Sequence, residues 1–180
     1  MGTFEAHITV DATTAERRAA FAAACRELGV KCVLIELARG AHASQPMTSS
    51  HHTGELASVM REIMALRAHL EAAGFAVTRV KVEEDAGDDD VPVDAAGPPG
   101  TYFEFHGKLA LGPDDDLTGV RATCEAIGAH LSHNDFERGV SRFVTLRVYD
   151  AGRTAAQARF ADVLRTLTAA GHLVTNCKAE

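Results

Sequence analysis

Apolar and polar residues alternate along several short segments of the chain, and in other segments the apolar residues recur at helical spacing. Phe143 to Tyr149 is the clearest alternating segment, and Tyr102 to Leu109 is another. Alternation with period two predicts strands buried on one face. The segment that ends at Ala170 has helical spacing, and Gly171 follows it, as glycine commonly does at a helix end. The chain therefore mixes strands with helices.

Two successive series of elements are predicted, each with the order strand, helix, strand, strand, helix, strand. The strands of the first series are residues 4–10, 30–37, 46–52 and 75–83, and those of the second are residues 102–109, 129–136, 143–149 and 173–179. Thr13 with Glu16, and Thr154 with Gln157, have the spacing of capping boxes that begin helices. The other two helices are predicted to begin near Thr53 and at Pro113.

The two series are copies of one unit. Aligned with one gap of two residues near residues 41–43, they share 18 identities over 78 positions. The most informative identities are Phe4-Glu5-x-His7 with Phe103-Glu104-x-His106, and Thr48 with Thr145. We therefore predict an internal duplication, with repeats at residues 3–83 and 101–180.

The segment between the copies, residues 84–100, is rich in aspartate, glycine and proline and is predicted to be an acidic linker. The formal net charge is −7, but seven acids lie between residues 83 and 94. Outside that segment 18 acids balance 18 bases, so nothing predicts the basic face that nucleic acid requires.

The order βαββαβ is that of a ferredoxin-like unit, so the fold class is α+β with two antiparallel sheets and helices on one face of each. Alternation directs Phe4 and Ile8 toward the helices and Glu5 and His7 toward the open face. We expect the two sheets to meet, face to face or edge to edge, and to enclose a shared cleft that binds a small molecule.

Candidate site residues follow from this assignment of faces. His7 and His106 are the candidate catalytic pair, because paired titratable groups beside cations are typical of sites that perturb pKa values. The candidate substrate-binding residues on the same faces are Thr9, Thr48, Lys108, Thr145, Arg147 and Tyr149. In the first copy the outward residues of the third strand are predicted to be Thr48, Ser50 and His52.

The segment Ala6-His7-Ile8-Thr9-Val10 resembles the H-x-T strand of the two-histidine phosphoesterases, which are also built from two related lobes. That resemblance implies phosphate-ester hydrolysis with one histidine as base and the other as acid. The second copy reads His106-Gly107-Lys108, so a cation replaces the second hydroxyl. FEAHITV, YFEFHGKLAL and RFVTLR also resemble segments of uncharacterised bacterial proteins with duplicated ferredoxin-like units, which implies no activity.

Two other interpretations stay open, and whether the chain is an enzyme is not decided. Glu5, His7, Glu104 and His106 could together bind a divalent metal ion, the only cofactor that the sequence suggests. Alternatively the units form a binding or assembly module without chemistry, for instance as a homodimer.

The four cysteines have no C-x-x-C spacing, and the N-terminus lacks a secretory pattern. With no apolar stretch near the roughly 20 residues of a membrane span, we expect a cytoplasmic protein without membrane partners.

Overall fold

A computed structural model describes residues 1–37, 44–112, 115–134 and 142–180. The chain divides into two compact units, residues 1–85 and 86–180. The predicted positions of the two-residue gap, near residues 41–43, lie outside the described residues.

Within the described residues, each unit contains four strands and two helices in the predicted order. The elements of the first unit are β1 (Gly2–Val10), α1 (Ala15–Glu27), β2 (Lys31–Leu37), β3 (Ser44–Gly54), α2 (Leu56–Ala72) and β4 (Val77–Glu84). Those of the second are β5 (Tyr102–Leu109), α3 (Leu117–Ala126), β6 (Ala129–Asn134), β7 (Arg142–Tyr149), α4 (Arg153–Ala169) and β8 (Val174–Ala179).

All strand pairs within each unit are antiparallel. In the first unit β1 pairs with β3 and β4, and β2 pairs with β3, which gives the order β4-β1-β3-β2. In the second unit β5 pairs with β7 and β8, and β6 pairs with β7, which gives β8-β5-β7-β6. The predicted duplicated ferredoxin-like α+β fold is confirmed.

Burial along the central strands follows the predicted alternation. Phe4, Ala6 and Ile8 are buried and form one core with Phe21 of α1 and Ile63 of α2. The second core is assembled in the same way around the buried side chains of Phe103, Phe105, Val120, Val144, Leu146, Phe160 and Leu167. Helices therefore cover one face of each four-stranded sheet.

The register of β3 against β1 differs by one residue from the register that the repeat alignment implies. Glu104 pairs with Arg147 in the second unit, whereas Glu5 pairs with His51 rather than with Ser50. A shift of one residue moves every side chain of a strand to the opposite face. The prediction that Thr48, Ser50 and His52 face outward is therefore wrong, and these three side chains lie on the helix side.

The starts of all four helices in the described residues differ from prediction, and α2 begins at Leu56 rather than near Thr53. Thr14, not Thr13, caps α1 by accepting a hydrogen bond from Arg17 N. Asp116 caps α3, and Pro113, where that helix was predicted to begin, lies outside the described residues. Thr154 lies within α4, whose first residue Arg153 donates its backbone N–H to Pro92 O, 3.0 Å away.

Residues 86–95, which were predicted to be part of a linker, belong to the second unit. Ala86 is buried in its core, and the Arg153 guanidinium donates a hydrogen bond of 2.7 Å to the Ala86 carbonyl. A Cβ on Gly152 would lie 2.6 Å from Val93 O, so the segment packs directly on the backbone where α4 begins. The carbonyls of Pro92 and Val93 accept hydrogen bonds from the first turn of this helix in place of a capping side chain.

The edge strands β4 and β8 have irregularities at different points. The register shifts between Thr9 and Val10 in the first unit, and between His106 and Lys108 in the second. Gly107 lies at the second irregularity, where an added Cβ would come within 2.3 Å of Val174 Cγ1. The first unit has Ile8 at the equivalent position.

None of the helices in the described residues combines the length and the apolarity that crossing a membrane requires.

Candidate functional site

The two Glu-x-His pairs lie on the central strands β1 and β5, on the faces away from the helices. Glu5 and His7 alternate with the buried residues Phe4, Ala6 and Ile8. The second pair, Glu104 and His106, alternates in the same way along β5. Each pair is surrounded by polar side chains of its two neighbouring strands, and the two surroundings differ.

In the first unit a compact set of polar groups surrounds His7, and we name it the His7 cluster: Glu5, His7, Ser49, Lys81 and Glu83. The imidazole Nε2 lies 3.1 Å from Glu83 Oε2 and 3.5 Å from Glu5 Oε1. Ser49 donates its hydroxyl to Glu5 at 2.7 Å, and Lys81 forms an ion pair with Glu83. The side chain of His7 is only 19% exposed, so this cluster is largely closed to solvent.

The second ring nitrogen of His7 also faces a hydrogen-bond acceptor. Nδ1 lies 3.1 Å from the backbone carbonyl of Thr48, which can only accept a hydrogen bond. Because Nε2 faces carboxylates, both nitrogens point at acceptors and the imidazolium form is favoured. Burial lowers the pKa of His7, but the hydrogen bond to Glu83, the charges of Glu83 and Glu5 and the Thr48 carbonyl together raise it above its usual value.

In the second unit we name the equivalent set the His106 cluster: Glu104, His106, Thr145, Arg147, Lys178 and Glu180. Nε2 of His106 lies 2.8 Å from Glu104 Oε1 and 3.8 Å from Glu180 Oε2. Nδ1 lies 3.0 Å from the hydroxyl of Thr145, which can donate as well as accept. A neutral imidazole with its hydrogen on Nε2 therefore satisfies both contacts. The side chain of His106 is 32% exposed.

Arg147 holds the carboxylate that orients His106. Its Nε donates to Glu104 Oε2, while Glu104 is buried beneath it. Burial lowers the pKa of Arg147, but the charge of Glu104 and its hydrogen bond raise it above the ordinary value. The guanidinium also lies 5.6 Å from the ring centroid of Tyr102, which packs against Tyr149 at 5.0 Å. Cation and aromatic rings form one continuous surface next to His106.

The remaining predicted binding residues are placed differently from one another. The Thr48 side chain lies on the helix side, where its hydroxyl accepts from Ile8 N at 3.1 Å, so only its backbone carbonyl meets His7. Thr9 is buried, Lys108 is half-buried opposite Phe143, and Tyr149 is exposed. Thr145, Arg147 and Lys108 share the open face with His106.

Sequence reasoning missed Glu83 and Glu180, each of which faces a histidine. Both close a Lys-x-Glu sequence, Lys81 to Glu83 and Lys178 to Glu180, that the repeat alignment had already matched. Glu83 was predicted as the last residue of the fourth strand, but it was counted with the acids that follow it and was not considered as a site residue. Ser49 was also missed, because the shifted register of β3 gives its side chain the place expected for that of Thr48.

One histidine nitrogen and two carboxylates face one another in each unit. This is a ligand set of the kind that divalent ions such as zinc or manganese accept. In the His7 cluster an ion would have to replace the hydrogen on Nε2 and compete with Lys81 for Glu83.

No protein-family model matches the chain, and no curated protein matches it. Among solved structures it is similar to the small subunit of acetolactate synthase from Thermotoga maritima, with 11% identity, coverage of 100% of this chain and 97% of the other, and a TM-score of 0.30. It is also similar to an unknown protein from Galdieria sulphuraria, with 13% identity, 99% and 98% coverage and a TM-score of 0.31. A heme-binding protein from Thermus thermophilus gives 11% identity, 99% and 90% coverage and a TM-score of 0.32. Likenesses this weak carry no argument about this chain.

Proposed function

We propose that the open face around His106 binds a small phosphate ester and that His106 carries a proton during its hydrolysis. The observation that carries this proposal is the pair of contacts at the imidazole, Glu104 at 2.8 Å on Nε2 and the Thr145 hydroxyl at 3.0 Å on Nδ1. A carboxylate that orients one nitrogen while the other faces a hydroxyl is the arrangement of a general base.

The charge on this face suits an anion. Three cations of the second unit, Lys108, Arg147 and Lys178, lie on the same strand face as Glu104 and Glu180. The side chains of Arg147 and Lys178 are 38% and 43% exposed, so both can reach a ligand in solvent. An exposed guanidinium binds phosphate oxygens in pairs.

Hydrolysis needs one proton to move. A water molecule that replaces the Thr145 hydroxyl as the partner of Nδ1 gives its proton to the imidazole as its oxygen attacks phosphorus. The P–O bond of the ester breaks, and the same proton passes to the leaving oxygen. Glu104 stabilises the imidazolium that forms in between.

A cyclic 2′,3′-nucleoside phosphate is the probe that tests this proposal, because its aromatic base can also pack on Tyr102 and Tyr149. We expect slow turnover that falls at least about 100-fold in His106→Gln. Lys178→Gln should weaken binding of the probe. His7→Gln is the matched control and should retain turnover, since the His7 cluster is closed. Absence of both binding and turnover, or unchanged turnover in His106→Gln, would overturn the proposal.

A metal site is the second candidate, favoured by the convergence of two carboxylates on each Nε2. Elemental analysis of purified protein and the thermal midpoint with and without EDTA test it. Stoichiometric zinc, iron or manganese together with a lowered midpoint in EDTA would support metal binding. No bound metal and an unchanged midpoint would exclude it.

A further inference from the structure

Strand β3 of the first unit carries polar residues where the second unit has an apolar core. Phe105 pairs with Leu146 and Phe103 with Val148, and both partners are buried. At the equivalent places of the first unit, Ala6 pairs with Ser50 and Phe4 with His52. Placing a hydroxyl and an imidazole under a helix costs free energy unless both are hydrogen-bonded.

The two side chains form a hydrogen-bonded series with a carboxylate of α2. Ser50 Oγ lies 2.9 Å from His52 Nε2, and His52 Nδ1 lies 2.9 Å from Glu62 Oε2. The i, i+2 spacing on the strand puts the serine and the histidine on one face. Glu62 lies on α2, the helix that covers Ser50 and His52, and its carboxylate contacts the side of the imidazole opposite to Ser50.

This order of groups is the one that activates a serine. Glu62 accepts the Nδ1 hydrogen and so directs the lone pair of Nε2 toward the Ser50 hydroxyl. A base in hydrogen-bond contact with the nucleophile, and oriented by a third group, is the signature of nucleophilic catalysis. The side chain of His52 is only 9% exposed, so the surrounding protein holds its ring in place.

Substrate has access to this series. A groove of about 650 Å³ runs between β3, α2 and the turn that precedes β2, and Ser50, His52 and Glu62 all line it. Lys31, at the start of β2, pairs with Ser49, so β3 continues beyond the end of its neighbour at this point. Lys31 also lines the groove and gives it a positive charge.

We propose that Ser50, His52 and Glu62 form a nucleophilic site that accepts an acyl group from a carboxylic ester. Ser50 Oγ attacks the ester carbonyl while His52 Nε2 takes the hydroxyl proton. The bond between carbonyl carbon and alkoxy oxygen then breaks, and His52 returns the proton to the leaving alcohol. Water, deprotonated by His52, hydrolyses the acyl-serine and restores the hydroxyl. This site belongs to the first unit and does not depend on the function proposed for the His106 cluster of the second unit.

The test uses p-nitrophenyl acetate, with release of p-nitrophenol and the intact mass of the full chain as readouts. We expect one acetyl group per chain on the peptide that contains Ser50, and no such adduct in Ser50→Ala. His52→Gln should slow acetylation at least about 100-fold, and Glu62→Gln should slow it less, because it removes only the orienting group. Ser50→Cys keeps a nucleophile and should still be acetylated, as a thioester.

Ser49 and His51 provide matched controls, because they line the same groove but their side chains alternate to the opposite face of β3. Ser49→Ala alters the serine that donates to Glu5, and His51→Gln alters the histidine that pairs with Glu5, so both should be acetylated like the unmodified chain. An adduct that maps away from Ser50, or equal rates in Ser50→Ala and Ser49→Ala, would overturn the proposal. Loss of phosphate-ester turnover in His106→Gln with normal acetylation would show that the two sites are independent.

Discussion

The His7 and His106 clusters contain the same Phe-Glu-x-His motif but place its imidazole in different hydrogen-bonding environments. In the first unit Nδ1 meets a backbone carbonyl, and in the second it meets a threonine hydroxyl. A carbonyl demands a hydrogen on the nitrogen, whereas a hydroxyl accepts either form. The partner strand, rather than the motif, therefore decides which hydrogen-bond partner the Nδ1 atom of each histidine meets.

The one-residue register difference of the third strands explains this contrast. Glu104 lies opposite Arg147, but Glu5 lies opposite His51 and receives the hydroxyl of Ser49 instead of a guanidinium. Without an arginine beside Glu5, the charge of the first cluster is balanced by Lys81 and the protonated His7 against Glu5 and Glu83. The two copies therefore share the motif but differ in the charged groups that surround it.

The largest expected difference in stability between the two clusters follows from replacing Glu83 in the first unit and Glu180 in the second. Glu83→Gln removes a buried charge shared by His7 and Lys81, and breaking such a pair from one side costs about 3 kcal/mol. Glu180→Gln should cost about 1 kcal/mol or less, because Lys178 is 43% exposed and water screens the pair. Native-state hydrogen exchange of β1 and β5 amides measures each unit separately. Equal losses in the two variants would mean that the clusters are energetically alike.

The next largest difference is expected at the equivalent threonines. Thr48→Val leaves the buried Ile8 N–H without its acceptor, which costs about 2 kcal/mol, while the contact from His7 to the carbonyl persists. Thr145→Val removes only the partner of a half-exposed imidazole and should cost about 0.5–1 kcal/mol. The ¹⁵N shifts of the two imidazoles provide the control: that of His106 should change in Thr145→Val, and that of His7 should not change in Thr48→Val. A changed His7 spectrum in Thr48→Val would show that the hydroxyl, not the carbonyl, controls this ring.

The sequence predicted the fold well because strand alternation and repeated identities are local signals. Tyr102 to Leu109 was predicted as a strand with the bounds that the structure shows. The faces of β1, β5 and β7 followed from alternation alone. The face of β3 did not, because its Ser and His residues carry no apolar alternation and its register depends on pairing with β1. The partners Ser49 and Glu83 were missed for the same reason, since pairing between strands brings them to His7.

The smallest expected effect is a pH dependence carried by a single proton on His7. Its pKa is raised in the folded state: burial, the largest single effect, lowers it, but the hydrogen bond to Glu83, the charges of Glu83 and Glu5 and the Thr48 carbonyl together raise it by more. The folded chain therefore binds the proton on His7 more tightly than the unfolded chain does. This stabilisation is complete below the unfolded pKa of about 6.5 and is lost as pH rises through the higher folded value. Hydrogen exchange of β1 amides, measured from below pH 6.5 upward, should show the loss, and His7→Gln should abolish it while His106→Gln leaves it in place. If the first unit instead became more stable as pH rose through this window, Glu83 and Glu5 would not stabilise the imidazolium of His7. The two clusters would then differ only in the solvent exposure of their histidines.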